Sequence, residues 1–158
     1  MGDKKADRVE KVFEELKGKG LISEKRHLKK KNIRNFRARF ILNRIYYDPV
    51  FTSLDEKSIR FILLHEEGHL RLKQKKRPSK TDEYEADFWA AEQMIIFYGD
   101  REPHKTLEMA LEKADGMRKK RKSRIWKRKA DSHPSTEERR NYVKRRLEKS
   151  EVRTWNIS

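Results

Sequence analysis

The chain contains no cysteine, which removes disulfides, thiolate zinc sites and cysteine nucleophiles together. Any metal it binds must therefore be held by histidine and carboxylate. Long hydrophobic runs are missing too. The longest, Phe61–Leu64 and Met94–Phe97, fall far short of the roughly 20 apolar residues that cross a bilayer, which excludes an integral membrane protein. The opening Met-Gly-Asp-Lys-Lys-Ala lacks the apolar stretch of a signal peptide, and Ala6 stands where a myristoylation signal wants Ser or Thr. The expected location is the cytoplasm. No internal repeat or low-complexity linker divides the chain.

Negative charge is scarce as well. Against 42 Lys and Arg there are 26 Asp and Glu, a net charge of +16, and charged residues make up 43% of the chain against 34% hydrophobic. That balance lies near the border of disorder. Uneven distribution keeps it on the folded side, because the apolar and aromatic residues concentrate between Phe36 and Tyr98 while the ends hold most of the excess positive charge. At 158 residues the expectation is one domain, with a core over about 36–149 and a tail over 150–158. Abundant charge without cysteine is also the composition of heat-adapted proteins.

Periodicity gives the elements. Val9, Val12, Phe13 and Leu16 fall on one face of a short helix over 3–17, stopped by Gly18 and Gly20. Lys25 to Arg39 is a basic run without an acid, inside which Phe36, Ala38, Phe40 and Leu42 begin the alternation of a strand. The phase changes near Asn43 and Arg44 and resumes at Ile45 and Tyr47, which implies either a bulge or two short strands. Ser53-Leu54-Asp55-Glu56 has the form of a capping box, so a central helix is expected from Leu54 to about Lys73. A further helix is expected over about 81–98, with Tyr84, Phe88, Ala91 and Ile95 on one face and Gly99 as its stop. Others follow, from Pro103 to about Arg118 and from Pro134 to Lys149, the latter with Ser132 as a cap. Between them, residues 118–129 carry nine Lys or Arg, no acid, and Ile125 and Trp126; mutual repulsion favours an extended or loosely helical connection. The fold class is α+β, mainly helical.

His65-Glu66-Glu67-Gly68-His69 is an H-E-x-x-H motif inside the central helix. Residues four apart share a helix face, so both imidazoles reach one zinc ion, with Glu66 beside it to act on water. The alternative is four ordinary side chains on an exposed helix face. A catalytic zinc needs a third protein ligand. The metzincin continuation is excluded, because Leu72 and Lys75 occupy its Gly and His places. The next helix offers Glu83-Tyr84-Glu85-Ala86-Asp87, where Glu83 and Asp87 share a face and Glu85 points elsewhere. Glu83 is the candidate third ligand, and Asp87 is placed to accept the free N–H of a ligating imidazole. A solvated acidic helix start is the plainer reading of the same residues.

The order H-E-x-x-H, then E-x-x-A-D, then Ser132-His133-Pro134 with Arg139 five residues on, resembles the gluzincin metallopeptidases that include the CAAX prenyl proteases and the HtpX-type membrane proteases. Lacking every membrane helix, the chain is closer to the small soluble members, the minigluzincins. The resemblance implies a zincin-like domain with a small β-sheet or hairpin packed on the H-E-x-x-H helix, and hydrolysis of peptide or protein substrates. It implies zinc on His65, His69 and Glu83, Glu66 as general base and acid, and Asp87 behind a ligand. It further implies that His133 stabilises the oxyanion or touches the metal in a resting state, and that Arg139 orients His133 or binds a substrate carbonyl. An extended substrate would add to the edge of the strand over about 40–47. The tail over 151–158 would lie in a cleft and make the enzyme latent, as in a zymogen, or else fray. Two other functions compete: a basic nucleic-acid-binding protein, on account of the acid-free runs and Trp126, and a non-catalytic zinc-stabilised adaptor.

Overall fold

The computed structural model describes residues 5–39, 42–73, 78–119 and 134–150. The expectations for Ile125 and Trp126 in the second basic run, for Ser132 and His133, and for the tail from 151 onward lie outside these residues. Among the described residues five helices and three short strands follow in the order α1 (Arg8–Gly18), β1 (His27–Lys30), β2 (Phe36–Arg39), β3 (Arg44–Tyr47), a 3-10 turn (Pro49–Ser53), α2 (Glu56–Arg71), α3 (Lys80–Tyr98), α4 (Pro103–Lys119) and α5 (Thr136–Lys149). The fold is a mainly helical α+β arrangement with one small three-stranded sheet. No helix among the described residues is long and apolar enough to cross a membrane.

Helix α2 is the hub, with α1, α3, α4 and β2 all packed on it. Its residues Ile59 and Phe61–Leu64 are buried, as an apolar helix interior requires when protein surrounds it. The core takes in Val9, Val12, Phe13 and Leu16 of α1 together with Leu21 and Ile22, so it begins well before Phe36. On α3 the buried residues are Glu83, Ala86, Asp87, Phe88, Ala90, Ala91 and Met94. That stripe is turned by about one residue from the expected one, leaving Tyr84 and Ile95 half-exposed, because the acidic pair Glu83 and Asp87 faces inward.

Two capping assignments change. Helix α2 starts at Glu56 with Asp55 as its cap, accepting from the Ser58 amide at 3.1 Å. Ser53 is not that cap: it ends the 3-10 turn, its hydroxyl reaching back to the Val50 carbonyl. Helix α5 is capped by Ser135, whose hydroxyl accepts from the Glu138 amide at 3.1 Å, and it starts at Thr136 rather than Pro134. Helix α3 carries a full capping box between Ser79 and Asp82 and ends at Gly99, whose φ of 62° is left-handed.

The phase change near Asn43 is a turn between two strands. Asn43 has φ 50°, and β2 and β3 pair antiparallel with Phe36 opposite Tyr47 and Arg39 opposite Arg44. β1, unforeseen within its basic run, pairs parallel with β3. The sheet order is β1-β3-β2. Hence β3 is central with both sides occupied, and the expectation that the strand over 40–47 offers a free edge fails; the outer strands are β1 and β2. Tyr47 is 1% exposed and belongs to the core, stacked with Phe36, which in turn stacks on Phe51.

Candidate metal site between helices α2 and α3

The residues of the H-E-x-x-H motif are not on a solvent face. His65, Glu66, Glu67 and His69 are all buried, which removes the surface alternative. They are buried because α3 lies against α2 at Gly68, where a Cβ would stand only 3.3 Å from the Ala86 Cα and carbonyl oxygen. This approach brings the first turns of α3 over the imidazoles.

One α-helical turn separates His65 from His69, and their Nε2 atoms lie 3.0 Å apart with the rings nearly perpendicular. Glu83 completes the group, with Oε2 at 3.2 Å from His65 Nε2 and Oε1 at 3.6 Å from His69 Nε2. The three residues each offer one ligand atom within 4.8 Å of the others. Ligand atoms about 2.0–2.1 Å from a tetrahedral ion are roughly 3.3 Å apart, so the observed separations suit a small divalent cation. The atom types suit it as well. Two ring nitrogens and a carboxylate converge, and the set is complementary to a proton or a metal rather than to itself.

Behind this group stands a chain of supports. Asp87, fully buried, meets His65 Nδ1 at 2.7 Å, which places the ring proton on Nδ1 and turns the Nε2 lone pair toward Glu83 and His69. Arg139 of α5 grips Asp87 with one edge of its guanidinium, Nε donating to Oδ2 at 2.7 Å and Nη2 to Oδ1 at 2.8 Å. The same Nη2 lies 3.8 Å from Glu83 Oε2. Arg139 thus sits on the two α3 carboxylates. Glu85 is turned away from the site, to Tyr142 and Arg146.

The electrostatics follow from this arrangement. Burial opposes a charge on His65, but Asp87 and Glu83 outweigh it and push the imidazole up to about 10. Burial would raise Glu83, yet the hydrogen bonds and charges of His65 and His69 hold it far below the carboxylate range. Burial acts likewise on Asp87, and Arg139 with His65 overcomes it. The pocket therefore favours positive charge on the His65 imidazole, which is the field a bound cation requires.

Three further residues were not read from the sequence. Arg118, at the end of α4, donates to the Arg34 carbonyl at 3.3 Å and to Asn35 Oδ1 at 2.7 Å just ahead of β2. Burial lowers its basicity, Asp115 partly restores it, and it also feels the charges of Arg139 and Glu66. As the first member of the basic run it gave no separate signal. Glu67 is fully buried and held by Arg26 at 2.9 Å, Arg71 at 3.1 Å and the Ser23 amide at 3.2 Å. Gly68 permits the helix contact, and only its position inside the motif could have flagged it.

No curated protein and no solved structure matches the chain. A family model described as Peptidase U49 does match it, over residues 42–156, a stretch that includes the whole of α2 and α3 with the His65, His69 and Glu83 group. With that match covering well over half of the sequence, the chain belongs to the Peptidase U49 family.

Proposed function

We propose that this protein is a zinc-dependent metallopeptidase in which His65, His69 and Glu83 are the ligands and Glu66 is the general base and acid. The observation that carries the reading is the convergence of the three ligand residues within 4.8 Å in a buried pocket, next to Glu66 on the same helix. A relation to the CAAX prenyl protease and HtpX-type enzymes, in their small soluble form, belongs to the same proposal and rests on the order of the sequence motifs.

When bound, zinc would supply Lewis acidity toward a water molecule and the scissile carbonyl. The chain's own residues do the rest. Asp87 fixes the His65 tautomer, and Arg139 keeps Asp87 ionised so that it continues to accept that proton. Glu66 takes a proton from the attacking water as its oxygen bonds to the carbonyl carbon, then delivers it to the amine nitrogen as the C–N bond breaks. His133 is retained as a candidate for the oxyanion.

The substrate edge moves from β3 to β2, because β2 is an outer strand and packs on α2. An extended peptide would pair with it as an added strand. Latency through the tail over 151–158 stays part of the proposal.

Elemental analysis of wild type and of His65→Ala, prepared side by side, tests the reading. One zinc per chain in the wild type and almost none in the variant is expected. No zinc in either folded protein, with no uptake on addition, would overturn it.

A further inference from the structure

The sheet has two unlike faces. Leu28, Phe36, Ala38, Ile45 and Tyr47 point to the core. The alternate residues, His27, Lys29, Arg37, Arg39, Arg44 and Tyr46, point the other way, as the period of a strand requires. Five of these six are Lys, Arg or His. Lys31, just past β1, joins them, its ammonium 5.3 Å from the Tyr46 ring centre.

The pairing register sets these charges against one another. Arg39 lies directly opposite Arg44 across the β2–β3 pair, and His27 is beside Arg44 across the β1–β3 pair. Like charges directly opposite destabilise a sheet, and among the described residues no carboxylate on this face offsets them. Among the described residues Lys29, Lys31, Arg37, Arg39 and Arg44 form no ion pair with a carboxylate, whereas Lys30, on the core side, meets Asp7 at 3.1 Å. Arg44 instead donates to the Tyr46 hydroxyl at 3.4 Å. That bond, with Lys31 and Lys29 nearby, holds the Tyr46 hydroxyl below its ordinary pKa.

We infer that this outer sheet face is a binding surface for the phosphate backbone of a nucleic acid. Its alternate residues are about 7 Å apart along a strand and about 5 Å apart between strands, so several long cationic side chains can meet consecutive phosphates at once. A polyanion would supply the counter-charge that the Arg39–Arg44 pair lacks among the described residues.

Chemistry separates this ligand from a folded protein partner. Protein interfaces rest on buried apolar and aromatic anchors. Among the described residues the exposed large apolar side chains are Leu42, Leu72, Ile96 and Phe97, and of these Leu42 alone adjoins the sheet, at its turn. Phosphate binding needs cations alone. Tyr46 is 8% exposed, so its ring is not a stacking platform for bases, and binding is independent of sequence.

The test is fluorescence anisotropy with labelled single-stranded and duplex oligonucleotides of about 20 nucleotides, from about 50 to 200 mM salt. Wild type is compared with Lys29→Ala/Arg37→Ala/Arg39→Ala and with Lys11→Ala/Arg101→Ala/Lys144→Ala, which removes the same charge from exposed positions off the sheet. The sheet variant should bind at least tenfold more weakly on every sequence, and its log–log salt slope should fall by about 2–3, near one for each lost contact. The off-sheet variant should change less than about threefold on the same slope argument. Should the triple variant not fold, Arg37→Gln/Arg39→Gln carries the test with a slope change of about 1–2. Absence of wild-type binding at the lowest salt, or equal weakening by both triple variants, would overturn the inference. So would tighter binding of anionic vesicles or of poly-glutamate through the same residues, since either would assign the face to another partner.

Discussion

Gly68 and Ala86 are in backbone contact: a methyl group on residue 68 would stand 3.3 Å from the Ala86 Cα and carbonyl oxygen, and 3.4 Å from Trp89 Cε3. Ala86 is nearly one turn beyond Glu83, and Gly68 adjoins His69, so this contact sets how far the carboxylate stands from the imidazoles. Gly68→Ala therefore has two opposed effects. Helix propensity favours the variant by about 1 kcal/mol, while α3 must yield by a few tenths of an ångström. Thermal stability should stay near the wild-type value, and metal affinity should fall at least about tenfold, the usual loss when a ligand's support is disturbed. Competition with a chelator, measured beside the melting temperature, checks both halves.

Neighbouring glutamates should give opposite phenotypes. Glu67 is a fully buried carboxylate bound by Arg26, itself 10% exposed at the side chain. Glu67→Ala should lower unfolding stability by about 3 kcal/mol, because it leaves the Arg26 charge buried without its partner; the more exposed Arg71 adds little. Glu66→Gln should leave stability within about 1 kcal/mol, as substitutions outside a structural network do, retain metal, and abolish hydrolysis. Urea titration, metal content and a peptide assay on both variants make the comparison. Hydrolysis by Glu66→Gln at wild-type rate would exclude it as the base.

The bond from the Tyr98 hydroxyl to Glu15 Oε1, 2.9 Å long, links two titrations. Burial and Glu15 push the Tyr98 hydroxyl up from 10.0 to about 12. Burial would raise Glu15, but Tyr98 and Arg60 hold it below 4.5. A raised tyrosine contributes stability below its unfolded value, and this is lost as pH climbs from 10.0 through about 12. A lowered carboxylate contributes above 4.5 and is lost as pH falls through its depressed folded value. The stability difference between wild type and Tyr98→Phe should therefore be flat at intermediate pH and shrink at both ends. Denaturant unfolding over a pH series measures it, and a constant difference beyond pH 12 would exclude the alkaline arm.

Where a residue's partners are close in the sequence, its place was legible. Val9, Val12, Phe13 and Leu16 lie on the buried face their spacing implied, and His65 and His69 share the face that four-residue spacing dictates. Glu83 was singled out by eliminating the other ligand patterns, and it does join the histidines. The failures have a common cause in tertiary pairing. Nothing local marks β1, whose hydrogen bonds go to β3 far along the chain and whose side chains are mostly solvent-facing. The placement of β3 at the centre follows from that same pairing, so its edge could not be judged from 40–47 alone. Ser53 satisfies the capping pattern, but Asp48 and Pro49 wind the preceding residues into a 3-10 turn that leaves the cap to Asp55. Arg139 showed as part of a motif, yet its two bonds to Asp87 depend on how α5 meets α3.

That last contact has a consequence for the order in which the molecule is made. A ribosome delivers His65, His69 and Glu83 first, and Arg139 emerges only after α4 and the start of α5 have been synthesised. At about 5–20 residues per second, the nascent chain spends on the order of seconds with its candidate ligands translated and Asp87 still without its guanidinium. Over that interval the His65 imidazole is the partner that α2 offers to offset burial of Asp87, and docking of α5 adds the two guanidinium bonds. Synthesis thus delivers the support of the site last, after the residues it supports.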